Sequence, residues 1–358
     1  MNFIYILWYS SSIKYKLISF LLYPFSLLWI IIDKLKFLMT KPYTSHLKII
    51  CVGNINVGGT GKTPISIFIF KILKKMGHNP IFLTSGYKGK ISKPCIANND
   101  VILFGDEAII LKNIGPTVVS KNKLEGVKYI ENLNSKKKIY DIIVMDDGLQ
   151  NYSIGKDVSF LTVDRKSLFG NEFCLPSGPL RQSLNSCKKN INKIILTGNR
   201  NFKKNHNILK KDILNSYIKV DKVSVKKKYL AFSGLGNNVK FFDTLKIANY
   251  NIALTKKFED HHNYKENEIA NLIKLANENN LKLITTEKDI VKIPKKYHLK
   301  INCLKMKIEF DKSEINKYNY NDKDKEIIFL KDQIRELNRQ IKQLRNIIKD
   351  LQKNTNQN

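Results

Sequence analysis

A glycine-rich segment directly follows a short apolar run and leads into a Gly-Lys-Thr sequence. The apolar run covers residues 47–52, and residues 53–64 read Gly-Asn-Ile-Asn-Val-Gly-Gly-Thr-Gly-Lys-Thr-Pro. A strand that ends in such a turn and opens a helix can point backbone N–H groups at phosphate oxygens, and the helix N-terminus adds a partial positive charge. The pattern therefore predicts a strand, a phosphate-binding loop and a helix, in that order. The alternative is a glycine-rich turn that binds no ligand.

The residues of this segment divide into nucleotide-binding and metal-binding candidates. We expect Lys62 to reach the β- and γ-phosphates of a nucleoside triphosphate, and the Thr63 hydroxyl to ligate Mg²⁺. In the usual Gly-x4-Gly-Lys-Thr spacing the first glycine falls at position 56, where this chain has Asn56. Asn tolerates positive φ angles better than most residues. The predicted nucleotide-binding set is Asn56, Gly58, Gly59, Thr60, Gly61, Lys62 and Thr63.

The first 43 residues differ from the rest of the chain and indicate membrane association. An apolar stretch covers residues 17–32, has charged residues on both sides and is interrupted by Pro24. It is shorter than the roughly 20 residues that span a bilayer, and it carries Tyr and Trp residues of the type found at lipid interfaces. We expect a helix that lies on the membrane or dips into it; the alternatives are a short span and a buried core helix. No small-residue cleavage site follows, so a removable signal peptide is not expected.

Net charge and cysteine usage bear on partners and compartment. The chain has 358 residues, enough for two domains, and 62 Lys and Arg against 31 Asp and Glu give a formal net charge of +31. Such a charge favours anionic partners, and the lysines beside the apolar stretch favour an anionic membrane surface. No nucleic-acid-binding motif is recognisable, so nucleic acid is not expected. The five cysteines show no Cys-x-x-Cys pair and no metal-binding spacing, which fits a reduced cytosolic compartment.

Strands and helices are expected to alternate after the N-terminal segment, as in a parallel sheet with helices on both faces. The first set comprises predicted helices at 65–75, 106–113 and 123–133 and strands at 80–84, 116–120 and 141–145. The second set comprises strands at 193–197, 229–233, 252–255, 282–285 and 303–308 and helices at 239–245 and 266–279. The predicted fold class is α/β: a phosphate-loop NTPase-like parallel-sheet domain over residues 44–190 and a second, smaller α/β domain over residues 191–322.

The C-terminal tail carries a heptad pattern. Ile and Leu alternate at spacings of three and four over residues 327–351, with Ile at the a positions and Leu at the d positions. This arrangement favours a parallel two-stranded coiled coil, predicted over residues 325–354, and hence a parallel homodimer. The alternative is a single amphipathic helix that packs on its own domain.

Several further polar residues are candidates for catalysis. Asp146 and Asp147 end a predicted strand downstream of the glycine-rich segment, where such folds hold Mg²⁺. Asp106 begins a predicted helix and is a candidate base for a hydroxyl proton during phosphoryl transfer; the alternative is helix capping. His261 can hold or tune a carboxylate by hydrogen bonding, although a His-His pair is more often on the surface. Arg181 follows a turn-rich segment and can present its guanidinium to a phosphate.

One charged segment is left without an assigned role. Residues 286–289 read Thr-Glu-Lys-Asp and follow a predicted strand. They either line a cleft or are solvated.

Taken together, these segments resemble the tetraacyldisaccharide 4′-kinase family, the lipid A 4′-kinases. The resemblance rests on the segments that begin at Gly53, Gly105, Asp146, Leu175 and Phe258, whose order and spacing match over roughly residues 15–310. Four positions depart from the family pattern: Ser85 and Lys123 stand in place of arginine, Asn151 in place of histidine and Gln182 in place of glutamate. The C-terminal heptads lie outside the resemblance.

The resemblance implies phosphorylation, by ATP, of the 4′-hydroxyl of a tetraacyl disaccharide 1-phosphate at the cytoplasmic face of the inner membrane, with two α/β domains that close over the site. By motif position, Lys62 and Thr63 match the ATP and Mg²⁺ residues, and Asp146 and Asp147 match the acidic pair near the metal. Asp106 matches the base and His261 its supporting partner, and the predicted substrate residues are Glu107, Gln150 and Arg181. The alternatives are a membrane-bound NTPase that acts as a conformational switch and a basic nucleic-acid or scaffold protein.

Overall fold

The computed structural model describes residues 3–137, 139–198, 213–220, 227–236 and 238–310. The helices are α1 (Phe3–Tyr9), α2 (Ile13–Met39), α3 (Lys62–Lys75), α4 (Val101–Phe104), α5 (Asp106–Lys112), α6 (Lys123–Lys137), α7 (Leu184–Asn190), α8 (Asn238–Ile247), α9 (Glu266–Glu278) and α10 (Glu287–Ile290), with a 3₁₀ helix at Lys295–Lys300. The strands are β1 (Lys48–Gly53), β2 (Pro80–Thr84), β3 (Cys95–Ile96), β4 (Thr117–Val119), β5 (Ile142–Asp146), β6 (Val158–Asp164), β7 (Lys193–Thr197), β8 (Ile213–Val220), β9 (Lys228–Ser233), β10 (Asn251–Lys257), β11 (Lys282–Thr286), β12 (Ile301–Leu304) and β13 (Met306–Phe310).

Residue contacts divide the chain into two compact units. Unit 1 contains the described residues of Met1–Ile81, Glu131–Tyr217 and Phe310–Asn358, and unit 2 contains those of Phe82–Ile130 and Ile218–Glu309. The predicted division into residues 44–190 and 191–322 stays a prediction. The predicted coiled coil at 325–354 lies outside the described residues.

Unit 1 contains a parallel sheet in which β1 has a paired strand on each side. The strands pair in the order β8-β7-β6-β1-β5, and all four pairings are parallel. Ile50 of β1, for example, is in register with Val144 on one side and with Val158 on the other. A strand covered on both faces must be apolar almost throughout, and this explains why the run before the glycine-rich segment carries no alternation.

Unit 2 contains a four-stranded parallel sheet in the order β10-β9-β11-β12, with helices against both of its faces. Side chains alternate across a strand. Leu230 and Phe232 of β9 accordingly share a cluster with residues of α9, whereas Tyr229 and Ala231 share a second cluster with residues of α8. In the same unit, β4 pairs parallel to β2 over residues 82–84 and antiparallel to β3. The predicted α/β class with mostly parallel strands is therefore confirmed.

The N-terminal helix differs from its prediction. α2 runs for 27 residues with Pro24 inside it, so the predicted interruption at Pro24 is wrong. Ser19 and Ser26, on either side of the proline, are buried and hydrogen-bonded to Ser177 and Cys174 of the same unit. These contacts hold both halves of the helix in place despite the lost N–H group. By length and composition alone α2 could cross a membrane, and only 11% of its most apolar 18 residues is buried. The expectation that this segment lies on the membrane or dips into it stays a prediction.

Other elements also differ from the sequence-based expectations. The single strand predicted at residues 303–308 is two strands, β12 and β13, which are separated at Lys305. Strand β6 was not predicted because its sequence, Val-Ser-Phe-Leu-Thr-Val-Asp, has no clear period, yet every residue in it is buried. The strand predicted at 80–84 is confirmed as β2.

Candidate active site

The glycine-rich loop (residues 54–61) connects β1 to α3 and contains two backbone conformations that require glycine. Gly58 has a φ of 112° and Gly61 a φ of 85°, values at which a side chain would be strained. A Cβ atom at Gly58 or Gly59 would meet no atom within 4 Å, so the loop faces open space there. Gly61 is also the N-cap residue of α3, and it has no side chain to occupy the first backbone N–H groups of the helix.

Asn56 does not replace the expected glycine by adopting a positive φ. The positive φ angles of the loop belong to Gly58 and Gly61, so this part of the prediction is wrong. Asn56 is instead buried, its Nδ2 donates to the Leu168 carbonyl at 2.8 Å, and its backbone forms a bridge with Leu180. These two contacts hold the start of the glycine-rich loop against Leu168 and Leu180.

Two cations from distant parts of the sequence converge on Asp147. Lys62 Nζ, at the start of α3, lies 2.7 Å from Asp147 Oδ2. The Arg181 guanidinium donates to both oxygens of the same carboxylate, at 3.2 and 2.8 Å. Asp147 follows β5 with a φ of 51°, which turns its side chain out of the strand direction. A lysine and a forked guanidinium at one point form a site suited to phosphate oxygens.

Asn54 connects these groups and was missed by the sequence analysis. Its side-chain oxygen accepts hydrogen bonds from Lys62 Nζ, at 3.3 Å, and from the Arg181 guanidinium. Its backbone oxygen accepts from Gln150 Nε2 at 2.9 Å, and Gln150 also donates to Gln182 Oε1 at 3.0 Å. The one available signal was the position of Asn54 directly after the last residue of a buried strand.

Asp146 is the buried member of the acidic pair. It is 1% exposed, and it accepts hydrogen bonds from the hydroxyl groups of Thr63, at 3.3 Å, and Ser66, at 2.8 Å. Carboxylate and hydroxyl oxygens are the ligands that Mg²⁺ prefers, and Mg²⁺ usually takes only one or two protein carboxylates. The described residues contain no cluster of three or more His, Cys, Asp and Glu side chains that could hold a metal ion. Asp146 and Thr63 therefore fit a magnesium ion that takes other ligands from the oxygens of a bound phosphate.

The segment that carries Arg181 lies between the glycine-rich loop and α2. On the loop side, Arg181 N donates to Ile55 O at 2.6 Å and Val57 N donates to Pro179 O at 2.8 Å. On the helix side, Trp29 Nε1 donates to the Arg181 carbonyl at 2.9 Å. The backbone of Arg181 is therefore held from both sides, and this fixes where its guanidinium can reach.

A second polar cluster lies in unit 2 and is centred on Asp106. The carboxylate is nearly fully buried, and His261 Nδ1 lies 2.9 Å from Asp106 Oδ2. His261 has a φ of 59°, and its backbone N–H donates to the Gly234 carbonyl at 2.9 Å. A tight turn after β10 thus directs the imidazole at the start of α5, which makes Asp106 and His261 a hydrogen-bonded pair.

The surroundings of Asp106 favour its ionised form. Burial raises the pKa of the Asp106 carboxyl group, but the hydrogen bond from His261 and the positive charges of Lys288 and Lys292 outweigh burial and bring the pKa below its usual value. Lys288 also forms an ion pair with Glu107, the next residue of α5. The carboxylate is therefore available as a proton acceptor over the whole neutral range.

The two neighbouring histidines have different partners, and neither is a free surface residue. His262 Nε2 lies 2.9 Å from Glu268 Oε2, and its ring packs against Phe258 and Tyr264. The expectation that an isolated His-His pair lies on the surface is wrong for this chain, because the side chains of His261 and His262 are only 14% and 23% exposed.

The predicted site residues thus fall into two groups. The structure brings together Lys62, Thr63, Asp146, Asp147, Gln150 and Arg181 in unit 1, beside the predicted loop residues Asn56, Gly58, Gly59, Thr60 and Gly61. It brings together Asp106, Glu107 and His261 in unit 2. Asn54, Ser66 and Lys292 were not predicted.

Comparison with known proteins shows the family to which this chain belongs. A family model described as tetraacyldisaccharide-1-P 4′-kinase matches residues 18–319. The tetraacyldisaccharide 4′-kinase of Rickettsia canadensis is 39% identical over 286 residues, which are 78% of this chain and 86% of that protein. The corresponding protein of Rickettsia bellii is 35% identical over 303 residues, 83% of this chain and 92% of its own.

A solved structure shares the fold. The crystal structure of LpxK from Aquifex aeolicus in complex with ATP has a TM-score of 0.68 and 22% sequence identity to this chain. The match covers 87% of this chain and 98% of the Aquifex chain.

Proposed function

Because this chain belongs to the tetraacyldisaccharide-1-P 4′-kinase family, we propose that its residues divide phosphate transfer between the polar cluster of unit 1 and that of unit 2. The chain is an ATP-dependent tetraacyldisaccharide 4′-kinase of lipid A synthesis, which transfers phosphate to a hydroxyl group. The alternative of an NTPase that acts as a conformational switch is not favoured by its relatives.

We assign nucleotide binding to the unit 1 cluster. The observation that carries this assignment is the convergence of Lys62 and Arg181 on Asp147, beside an Asp146 that is held by the Thr63 hydroxyl. A bound triphosphate competes with Asp147 for both cations, since phosphate oxygens carry more charge than one carboxylate. The backbone N–H groups of the glycine-rich loop supply further donors to the phosphates.

Asp146 and Thr63 would hold Mg²⁺, with Asp147 close to it. When bound, Mg²⁺ neutralises charge on the phosphate oxygens. The Ser66 hydroxyl keeps Asp146 oriented, because it occupies Oδ1 from the helix side at 2.8 Å.

We assign proton transfer to Asp106. The 4′-oxygen of the acceptor forms a bond to the γ-phosphorus as the bond from that phosphorus to the leaving oxygen breaks, and the hydroxyl proton passes to the Asp106 carboxylate. The transition state of phosphoryl transfer is loose, so the attacking oxygen needs only a weak base late in the reaction. A carboxylate with a lowered pKa is adequate for this role.

The choice of Asp106 also depends on His261. The imidazole holds Asp106 Oδ2 and prevents the carboxylate from rotating. His261 therefore acts as a positioning residue, which keeps a lone pair of Asp106 directed at the acceptor.

We further propose that the enzyme works at the cytoplasmic face of the inner membrane, where its lipid acceptor resides. The exposed face of α2 carries large apolar side chains, including Phe20, Leu21, Phe25 and Leu28. Lysines flank it on both sides at positions 14, 16, 34 and 36, and all four are exposed, so that they can contact anionic headgroups. The homodimer predicted through residues 327–351 is retained as a proposal from the heptad pattern alone.

The decisive experiment measures transfer of radiolabelled γ-phosphate from ATP to a tetraacyl disaccharide 1-phosphate in detergent micelles. We expect the intact protein to label the acceptor, Lys62→Ala to lose both ATP binding and transfer, and Asp106→Asn to bind ATP but lose transfer. Normal labelling by Asp106→Asn would show that the base is assigned wrongly, and ATP hydrolysis without labelling by the intact protein would contradict the kinase.

A further inference from the structure

A buried ammonium group lies beside Asp106 and has no role in the mechanism so far. Lys292, which follows α10, has a side chain that is 3% exposed. Its Nζ is 3.0 Å from Asp289 Oδ1 and 4.0 Å from Asp106 Oδ2. One cation therefore lies between two carboxylates inside unit 2.

Hydrogen bonds to neighbouring groups hold the Asp289 carboxylate in a fixed position beside Lys292. It is fully buried, and its carboxylate accepts hydrogen bonds from Gly234 N at 3.1 Å and from Thr286 Oγ1 at 2.7 Å. The Thr286 hydroxyl in turn accepts from Asp289 N at 3.1 Å, at the start of α10. Asp289 is thus a rigid anchor on one side of the ammonium.

The burial of Lys292 is costly and needs a reason. Removal of an ammonium group from water carries a penalty of several kcal/mol, and a well-packed apolar side chain of similar volume often stabilises a protein as well as a buried ion pair does. Within the described residues the Lys292 ammonium makes ion pairs but no hydrogen bond, and its remaining neighbour is the face of the Tyr264 ring, 5.6 Å away. An arrangement of this kind close to a reactive carboxylate indicates a functional role.

We propose that Lys292 is a positioning residue for phosphate transfer: its charge keeps the Asp106 carboxylate ionised and in place, and Asp289 fixes the ammonium where it can do so. This inference rests on the proposed role of Asp106 as the base. It gives a function to the segment of residues 286–292, of which the Thr-Glu-Lys-Asp part was left open by its sequence.

Five groups bear on the charge of Asp106. His261 reaches it from the turn after β10, Lys288 and Lys292 reach it from α10 and the residues that follow, Glu107 is its neighbour on α5, and Asp289 lies behind Lys292. Lys288 is also paired with Glu107, and its charge lowers the pKa of Asp106 more than that of Lys292 does. Lys292 is shared between Asp289 and Asp106 and is the less exposed of the two lysines.

The expected effect has a definite sign. Removal of a nearby positive charge disfavours the ionised form of a carboxyl group. The pKa of Asp106 should therefore rise when Lys292 is replaced by an uncharged residue. The base is then protonated over a wider acidic range. The acid limb of the profile of kcat/KM against pH moves to higher pH, and activity returns as the pH is raised further.

The test compares this profile for the intact protein with Lys292→Met and with the double variant Asp289→Asn, Lys292→Met. The double variant removes both charges, so it does not leave Asp289 buried without a partner. Lys296→Met is the matched control, because Lys296 is an exposed lysine four residues further on that pairs with Glu266. We expect both Lys292 variants to lose kcat/KM on the order of tenfold on the acid side, with the KM for ATP and the profile of Lys296→Met unchanged.

Three results would overturn the proposal. The first is an unchanged acid limb in Lys292→Met. The second is a double variant whose profile returns to that of the intact protein, because Lys292 would then serve only to neutralise Asp289. The third is loss of the folded state in both variants by thermal unfolding, which would make the role of Lys292 structural.

Asp106→Asn is assayed in parallel. It distinguishes an error in the role of Lys292 from an error in the proposed role of Asp106 as the base. If Asp106→Asn retains transfer, the base itself is misassigned. If Asp106→Asn is inactive while the Lys292 profiles are normal, only the role of Lys292 is wrong.

Discussion

His261 Nδ1 lies 2.9 Å from Asp106 Oδ2, although 155 positions separate the two residues in the sequence. The contact depends on a turn with a positive φ at His261 and on the start of α5 at Asp106. The hydrogen-bonded pair of unit 2 is thus formed by two segments that are distant in the sequence. A change in either segment should alter the pKa and the orientation of the Asp106 carboxylate.

Replacement of His261 should impair catalysis without loss of nucleotide binding. In His261→Ala the Asp106 carboxylate loses its hydrogen bond from the imidazole, so the pKa of Asp106 rises and its carboxylate can rotate. We expect kcat to fall roughly 100-fold, the low end for loss of general-base catalysis, and the acid limb of kcat/KM to move to higher pH. His262→Ala is the matched control, because His262 is hydrogen-bonded to Glu268 and not to Asp106; an equal loss of kcat in that variant would contradict the assignment.

Arg181→Lys should show that the fork of the guanidinium matters as well as its charge. Arg181 donates to both oxygens of Asp147 and to the backbone oxygen of Asn54, and a lysine cannot reproduce this set. A lysine would also make one or two fewer charge-assisted hydrogen bonds to the phosphate oxygens that compete with Asp147. At about 1.5–3 kcal/mol for each bond, we expect kcat/KM for ATP to fall at least about tenfold. Steady-state kinetics with varied ATP measure it, and activity within twofold of the intact protein would refute the role.

Ser66→Ala should raise the magnesium requirement. The Ser66 hydroxyl donates to Asp146 Oδ1 at 2.8 Å, and loss of such an outer hydrogen bond typically costs about 10–100-fold in metal affinity. The activity should be restored by excess Mg²⁺, with little change in the maximal rate. A Mg²⁺ titration of the transfer reaction checks this; an unchanged half-saturation would remove Asp146 from the metal site.

Trp29→Phe should weaken the site through the backbone of Arg181. The variant keeps an aromatic ring but loses the indole N–H that donates to the Arg181 carbonyl at 2.9 Å. The loss of one hydrogen bond, about 1 kcal/mol, predicts a fall in kcat/KM of roughly fivefold. Trp8→Phe is the control, since Trp8 donates to Pro176, in the same segment but further from Arg181. Equal effects of the two changes would show that only the stability of the segment matters.

The double variant Leu21→Glu, Phe25→Glu should weaken membrane association. Both side chains lie on the exposed face of α2, at 74% and 61% exposure, so the change does not disturb the described core. We expect reduced co-sedimentation with vesicles that contain anionic lipid and an unchanged affinity for ATP. Full co-sedimentation of the variant would show that this face does not contact lipid.

The parts of the site that are local in the chain could be predicted from its residues alone. Gly58, Gly61 and Lys62 are placed by a buried strand, a glycine-rich loop and a helix that follow one another directly. The consecutive residues 47–64 are enough to predict that order. Asp146 and Asp147 were found for the same reason, because they end an apolar strand. The family resemblance rests on such local segments and on their order.

The contacts between distant segments and the path of α2 depend on tertiary packing and could not be predicted from local patterns. No pattern in the neighbouring sequence indicates a role for Asn54, Ser66 or Lys292. Their roles depend on contacts with residues that are distant in the sequence and close in the folded chain. The helix continues through Pro24 because serines on both sides of it are bonded to residues more than 140 positions away. A local pattern sets the preferred conformation of a segment, but the packing of the whole chain determines which polar groups are buried together and hence what their charges do.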